Sequence, residues 1–120
     1  MIQNKEQIIN YFKSGIKETD NLKIGIEHEK FLFDNKNNRR IDYKSILKMF
    51  DQLYEFGWKP IYEKTNIIGL TKEDKSITLE PGNQIELSGA KLNNIHEACA
   101  ESHEYLFELK PVSYTHLRAH

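Results

Sequence analysis

The chain has 120 residues, of which 38% are hydrophobic and 29% charged, and its net charge is −1. These values are ordinary for one small soluble domain, and nothing in the charge favours a nucleic-acid or membrane partner, neither of which we expect. No apolar run is long enough to span a bilayer, the N-terminus has no signal-peptide apolar region, and the single cysteine, Cys99, excludes an internal disulfide framework, so we expect a cytoplasmic protein.

Three helices and five strands are predicted from apolar periodicity and turn residues. In chain order they are a helix at about 3–14, a strand at about 22–33, a helix at about 43–56, strands at about 58–62, 67–71, 76–80 and 84–87, and a helix from about 94. Capping residues support the helix starts, with Asn4 for the first helix, Asp42 for the second and Asn94 for the third. Pro111 is predicted to end the third helix.

These elements predict an α+β fold. Helices and hairpins are mixed without a regular strand–helix alternation, which favours a mainly antiparallel sheet flanked by helices. The polar turn at 72–75 joins two short strands into a hairpin. Because glutamates line one strand face and few residues remain to cover it, we expect this sheet to be part of a larger one.

The candidate functional residues are four glutamates on three of the predicted strands. Side chains two apart on a strand share a face, so each predicted strand directs its carboxylates away from its apolar side. Two such carboxylates lie roughly 6.6 Å apart and repel each other by about 2–3 kcal/mol at an effective dielectric near 20. A hard divalent cation relieves this repulsion, and magnesium is the natural candidate. The four residues are Glu27, Glu29, Glu80 and Glu86, and Gln84 lies beside the last.

A simpler interpretation is that these glutamates are solvated and paired with lysines. The candidates by sequence proximity are Lys23, Lys30 and Lys75. His28 lies between two of the glutamates, so alternation places it on the opposite face, where a packed structural role is expected. Cys99 falls on the apolar stripe of the third helix and is expected to be a small buried hydrophobe.

Several segments resemble a known family. The run Gly25-Ile26-Glu27-His28-Glu29-Lys30-Phe31 resembles the G-x-E-H-E-K-F signature of plant-type and proteobacterial glutamate–cysteine ligases. Residues 66–70 and 76–90 are similar to the next block of that family, and residues 96–101 continue it. The order and spacing agree over about 22–110.

The resemblance implies a fold and a reaction. The family belongs to the carboxylate–amine ligases related to glutamine synthetase. Its members join the γ-carboxyl of L-glutamate to the amine of L-cysteine through a γ-glutamyl phosphate, using ATP and magnesium, in the first step of glutathione biosynthesis. By resemblance, Glu27 and Glu29 hold magnesium beneath the ATP phosphates. Glu80 and Glu86 complete the metal and substrate cluster, and Gln84 contributes to cofactor binding.

Family members are several times longer than this chain. Residues 1–111 therefore correspond to the N-terminal part of the ligase catalytic domain, and we expect this part alone to be inactive. Residues 112–120 lose the helical spacing and look like translated read-through, so we expect them to be non-native and expect neither His116 nor His120 to bind metal. The alternatives are a carboxylate-lined module that binds a metal or amino acid without catalysis, and a purely structural α+β domain.

Overall fold

The computed structural model describes residues 2–119, with side chains described for residues 2–111. Its helices are α1 (Lys5–Ser14), α2 (Tyr43–Leu53) and α3 (Ile95–His116), and its strands are β1 (Glu27–Asp34), β2 (Lys59–Glu63), β3 (Asn66–Lys72), β4 (Lys75–Glu80), β5 (Gln84–Ser88) and β6 (Leu117–Ala119). The strands form one sheet in the order β2-β3-β4-β5-β1-β6, and all neighbours are antiparallel. The predicted α+β class, with an antiparallel sheet flanked by helices, is confirmed.

One face of the sheet packs against α2 and α3 and forms the core. Alternate positions of the central strands contribute fully buried aliphatic side chains on this face, which we call the back face. Its strand residues and the helix residues that cover them are Leu32, Leu70, Ile77, Ile85 and Leu87, with Ile46, Met49, Phe50, Leu53, Tyr105 and Leu109. Burial of aliphatic side chains at about 1.5–3 kcal/mol each is the main stabilising contribution.

The helix starts are those predicted. Asn4 Oδ1 accepts a hydrogen bond from the Gln7 backbone N–H at 3.0 Å, and Asp42 Oδ1 accepts one from the Ser45 N–H at 2.9 Å. Asn94 Oδ1 accepts from the backbone N–H groups of the first turn of α3. Each side chain satisfies donors that a helix leaves without an internal partner.

Two predicted boundaries are wrong. The strand expected at 22–33 enters the sheet only at Glu27, because Ile24 instead forms an isolated bridge with Leu92, in the segment that follows β5. The third helix does not end at Pro111 but continues to His116. Pro111 removes the hydrogen bond to the Phe107 carbonyl and crowds that carbonyl, and it lies at an exposed position five residues before the helix ends.

The buried face of α3 also differs from the predicted stripe. Cys99 is exposed, not buried, and its Sγ lies 3.5 Å from His103 Nδ1. The sheet is instead contacted by a face that carries two glutamates, Glu101 and Glu108, which are 7% and 4% exposed. Both oxygens of Glu108 have donors from other elements, whereas Glu101 accepts one backbone hydrogen bond through Oε2 and its Oε1 has no partner among the described residues. A helical periodicity cannot reveal such partners. No helix within the described residues is long and apolar enough to cross a membrane.

His28 lies on the back face, as alternation predicts, with its ring edge-on to Tyr105 at a centroid distance of 5.7 Å. Burial, and then the charge of Lys30, lower the pKa of His28 from its ordinary value of 6.5. The unfolded chain therefore binds the proton more readily than the folded one, so this group's contribution to stability is complete above about pH 6.5 and is lost as the pH falls below it.

We expect the thermal midpoint of the chain to fall between about pH 7 and pH 5.5, and His28→Phe to reduce that fall. Phenylalanine keeps a ring against Tyr105 but has no proton to bind. The measurement is thermal unfolding followed by circular dichroism at both pH values, with His96→Phe at an exposed position as the control. An unchanged pH dependence in His28→Phe would contradict the assignment.

Candidate active site

The strand register brings the four predicted glutamates onto one face of the sheet, opposite the core. β1 and β5 pair with Glu27 opposite Ser88 and Glu29 directly opposite Glu86. β5 and β4 pair with Glu86 opposite Thr78. Directly opposite residues have Cβ atoms about 4.5–5.5 Å apart and share a face. We call this surface the carboxylate face.

The connection between β4 and β5 fixes this register. Glu80 pairs with Gln84, so the loop between them contains only Pro81, Gly82 and Asn83. Gly82 and Asn83 have φ values of 79° and 60°, in the left-handed region that tight hairpin turns require. Asn83 Nδ2 also donates to the Ile41 carbonyl at 2.8 Å, which ties the turn to the start of α2. A one-residue slip of β5 would move Glu86 to the core side.

Neutral side chains hold three of the carboxylates. Gln84 Nε2 donates to Glu29 Oε2 at 2.6 Å. Thr78 Oγ1 donates to Glu80 Oε1 and Ser88 Oγ donates to Glu86 Oε1, each at 3.2 Å. The roles of Thr78 and Ser88 were missed from sequence, although the alternation that selected Glu80 and Glu86 places both residues on the same face.

The other carboxylates of the cluster act electrostatically on Glu86. Partial desolvation, and then the charges of Glu27, Glu80 and Glu29, raise the pKa of Glu86 against the opposing effect of the Ser88 hydrogen bond. A carboxyl whose folded pKa exceeds its unfolded value opposes folding once the pH rises through the folded pKa. The ionised form of Glu86 therefore opposes folding at neutral pH, as is common for residues of functional sites.

The lysine pairing considered from sequence is not found among the described side chains. Lys23 Nζ donates to Asn93 Oδ1, and Lys75 Nζ forms an ion pair with Glu104 on α3 at 3.2 Å. Lys30 is on the back face, where burial lowers its pKa. None of these ammonium groups neutralises the carboxylate face.

The donor chemistry of the face fits a hard cation, because all candidate ligands are carboxylate or hydroxyl oxygens. Within the described residues, however, no three His, Cys, Asp or Glu side chains are grouped closely enough to hold a metal ion. Carboxylates two apart on a strand start roughly 6.6 Å from each other, so convergence on one ion requires rotation of the side chains. The ligand atoms are therefore of the type that magnesium prefers. In the present structure, three of the four carboxylates point toward neutral neighbours to which they are hydrogen-bonded.

A buried glutamate on α3 fixes the edge of the site. Glu101 Oε2 accepts a hydrogen bond from the Ala90 N–H at 3.0 Å, and the Gly89 N–H donates to the Ile26 carbonyl at 2.8 Å. A Cβ at Gly89 would overlap Glu101 Oε1 and would lie 3.0 Å from the Ile26 carbonyl oxygen. Ile26 precedes Glu27 and Gly89 follows Ser88, so this junction sets the relative position of the two strand ends. Nothing in the sequence pattern identified Glu101.

A family model, that of glutamate-cysteine ligase family 2, matches residues 23–116. The chain belongs to this family. Among curated proteins it is 45% identical over 109 residues to glutamate–cysteine ligase A, chloroplastic, of Oryza sativa subsp. japonica, a match that spans 90% of this chain and 22% of the rice protein. Chloroplastic glutamate–cysteine ligases of Medicago truncatula and Arabidopsis thaliana are 43% and 42% identical over 110 residues, which is 91% of this chain and 22% and 21% of those proteins.

These relatives contradict one expectation and leave another untested. They are chloroplastic proteins, so the expectation of a cytoplasmic protein is wrong. It relied on the first residues of a chain that spans about a fifth of its relatives, and such a stretch carries no information about targeting of the whole protein. That residues 112–120 are non-native stays a prediction, and the side chains of His116 and His120 lie outside the described residues.

Proposed function

We propose that the complete protein to which this chain belongs joins the γ-carboxyl of L-glutamate to the amine of L-cysteine, with ATP and magnesium, as the first step of glutathione biosynthesis. Support comes from membership of the ligase family and from the names of the relatives. The single observation that carries the proposal is the direct opposition of Glu29 to Glu86 on one face of the sheet, where neighbouring carboxylates help to raise the pKa of Glu86.

The reaction brings two negatively charged substrates together in one site. Glutamate and ATP are both anions, and a γ-glutamyl phosphate forms only where their repulsion is neutralised. Magnesium would supply that neutralisation and act as a Lewis acid on the γ-phosphoryl group, held by Glu27, Glu29, Glu80 and Glu86. Gln84 fixes the orientation of Glu29 through its amide, and Ser88 does so for Glu86. The cysteine amine then attacks the activated carbonyl and phosphate leaves.

A graft into a full-length relative tests this function. In the graft chimera, the segment of rice ligase A that matches this chain is replaced by the matching residues of this chain. We expect release of ADP that requires glutamate, cysteine and magnesium together. A folded chimera that releases ADP with glutamate and a different amine, but not with cysteine, would contradict the substrate assignment and indicate a sister ligase.

The 120-residue chain itself is expected to be inactive. It presents one carboxylate face and lacks about four-fifths of the length of its relatives, so the remaining nucleotide and cysteine contacts are absent. We expect no γ-glutamylcysteine above background, measured by mass spectrometry after incubation with all substrates, and we expect exposed apolar surface to promote aggregation. Turnover by the purified chain would contradict this prediction. Magnesium binding by titration calorimetry without turnover in a folded graft chimera is the behaviour expected of a binding module.

A further inference from the structure

An arginine, Arg40, lies at one end of the carboxylate face. Its backbone forms an isolated antiparallel bridge with Phe33 of β1, so the two side chains share a face of the sheet. Strand alternation places Phe33 on the same face as Glu29. The Asp34 N–H donates to the Arg39 carbonyl at 2.8 Å, which holds the bridge closed. The backbone therefore directs one positive side chain onto the surface that carries the four glutamates.

Two contacts hold the guanidinium group of Arg40 in place. Its Cζ lies 4.6 Å from the centroid of the Phe31 ring, and its Nη1 donates to the Gly82 carbonyl at 3.3 Å. Phe31 pairs with Gln84, and Gln84 pairs with Glu80, so the guanidinium lies in line with Glu80 across the sheet. A guanidinium that is already stacked and hydrogen-bonded loses little freedom when it binds a ligand.

The remaining donors of Arg40 are available to an anion. A guanidinium has five N–H donors in a planar fork, and the turn carbonyl uses one of them. Within the described residues Arg40 forms no ion pair, although it shares a face with four carboxylates. Glu80 accepts instead from Thr78, and Glu29 from Gln84, so neither carboxylate occupies the guanidinium.

We infer that Arg40 binds an oxyanion of a substrate, a carboxylate or a phosphate, at the Glu80 end of the carboxylate face. Arginine pairs with both groups through two parallel N–H···O hydrogen bonds. The inference rests on the proposed function, because glutamate and ATP each bring such an anion to this face. The glutamates alone would repel it, whereas the guanidinium attracts it and fixes its orientation.

Steady-state kinetics of Arg40→Gln in the graft chimera test the inference. We expect the KM of one substrate to rise about 10- to 100-fold and kcat to change by less than about threefold, because a charge-assisted contact to bound substrate is lost. A rise for glutamate identifies its carboxylate as the ligand, and a rise for ATP identifies a phosphate. Titration calorimetry with the affected substrate should show the same loss of affinity. Arg40→Lys, which keeps the charge but not the fork, should give an intermediate loss.

Two controls separate this role from a general effect. Lys36→Gln removes one positive charge from the same exposed turn and should leave both KM values unchanged. The magnesium requirement of Arg40→Gln should be unchanged or lower, because the loss of a positive charge does not weaken binding of a cation. A distorted carboxylate face would instead raise that requirement.

Unchanged KM values for both substrates in Arg40→Gln would overturn the inference. If they are accompanied by a lower thermal midpoint, Arg40 pairs with an acidic side chain of the complete protein instead of a substrate. A folded chimera that does not ligate contradicts the proposed function, and calorimetry with glutamate and with ATP then tests Arg40 separately. Equal affinities in the parental and Arg40→Gln chimeras, or binding of neither anion, would overturn the inference. Should the long graft not fold, a graft limited to residues 27–43 carries the same variants.

Discussion

Replacing Glu86 by glutamine in the graft chimera is expected to lower the ligation rate by about 100- to 1,000-fold, the range found when one preorganised electrostatic group is removed from a site. Glutamine has nearly the same shape but no charge, so it can still accept the Ser88 hydrogen bond. Glu86 lies where the influence of Glu27, Glu80 and Glu29 converges, so its loss removes the carboxylate best placed to share an ion with the others.

The measurement is coupled ADP release across a magnesium titration. Glu27→Gln should behave in the same way, with a higher magnesium requirement. Glu55→Gln, at an exposed position of the short 3-10 helix at 54–56, should retain parental activity. Near-parental turnover of Glu86→Gln at low magnesium would show that the carboxylate face does not hold the ion.

The same substitution should leave the metal-free chain equally stable or more stable. The pKa of Glu86 is raised in the folded state, so its ionised form opposes folding above that pKa. We expect the thermal midpoint of Glu86→Gln to exceed the parental value at about pH 7.5, and the difference to shrink as the pH falls toward about 4. A lower midpoint at both pH values would assign Glu86 a structural role instead.

Strand alternation predicted most of the candidate site, because side chains in a strand point to the two faces of the sheet with a period of two residues. Glu27 and Glu29 had to share a face, and His28 had to lie on the other, whatever the neighbouring strands were. The pairing of the strands depended on the β4–β5 turn. The Gly82-Asn83 pair predicted a turn there but did not determine the register of the two strands. Direct opposition of Glu29 and Glu86 is a long-range consequence that no local pattern contains.

Helix α3 was less predictable because its buried face is partly charged. Apolar periodicity selected Cys99 and Leu106, both exposed, and passed over Glu101 and Glu108, both buried. The donors to these glutamates are the Ala90 backbone N–H, the Trp58 indole and the Lys72 ammonium, which lie at least 11 residues away in the chain. A sequence pattern that scores each residue by its own hydrophobicity cannot include them.

The largest stability effect is expected at Glu108, for which we predict that alanine costs about 3–5 kcal/mol in the free energy of unfolding. Glu108 Oε2 accepts from Trp58 Nε1 at 2.7 Å and its Oε1 contacts Lys72 Nζ at 2.5 Å. The glutamate is 4% exposed. Removing it leaves a buried indole N–H without an acceptor and a partly buried ammonium with one partner fewer.

Glu104 provides the matched control, one turn away on the same helix. It pairs with the same lysine at 2.9 Å, but its side chain is 47% exposed, so water can replace the contact. Glu104→Ala should therefore cost no more than about 1 kcal/mol. Urea unfolding followed by the fluorescence of Trp58, the single tryptophan, reports both variants directly. Because small domains have about 5–15 kcal/mol of total stability, Glu108→Ala should remove a large fraction of the free energy of unfolding. Equal, small losses in the two variants would mean that Trp58 and Lys72 find other acceptors and that burial of Glu108 does not support the junction between α3 and the sheet.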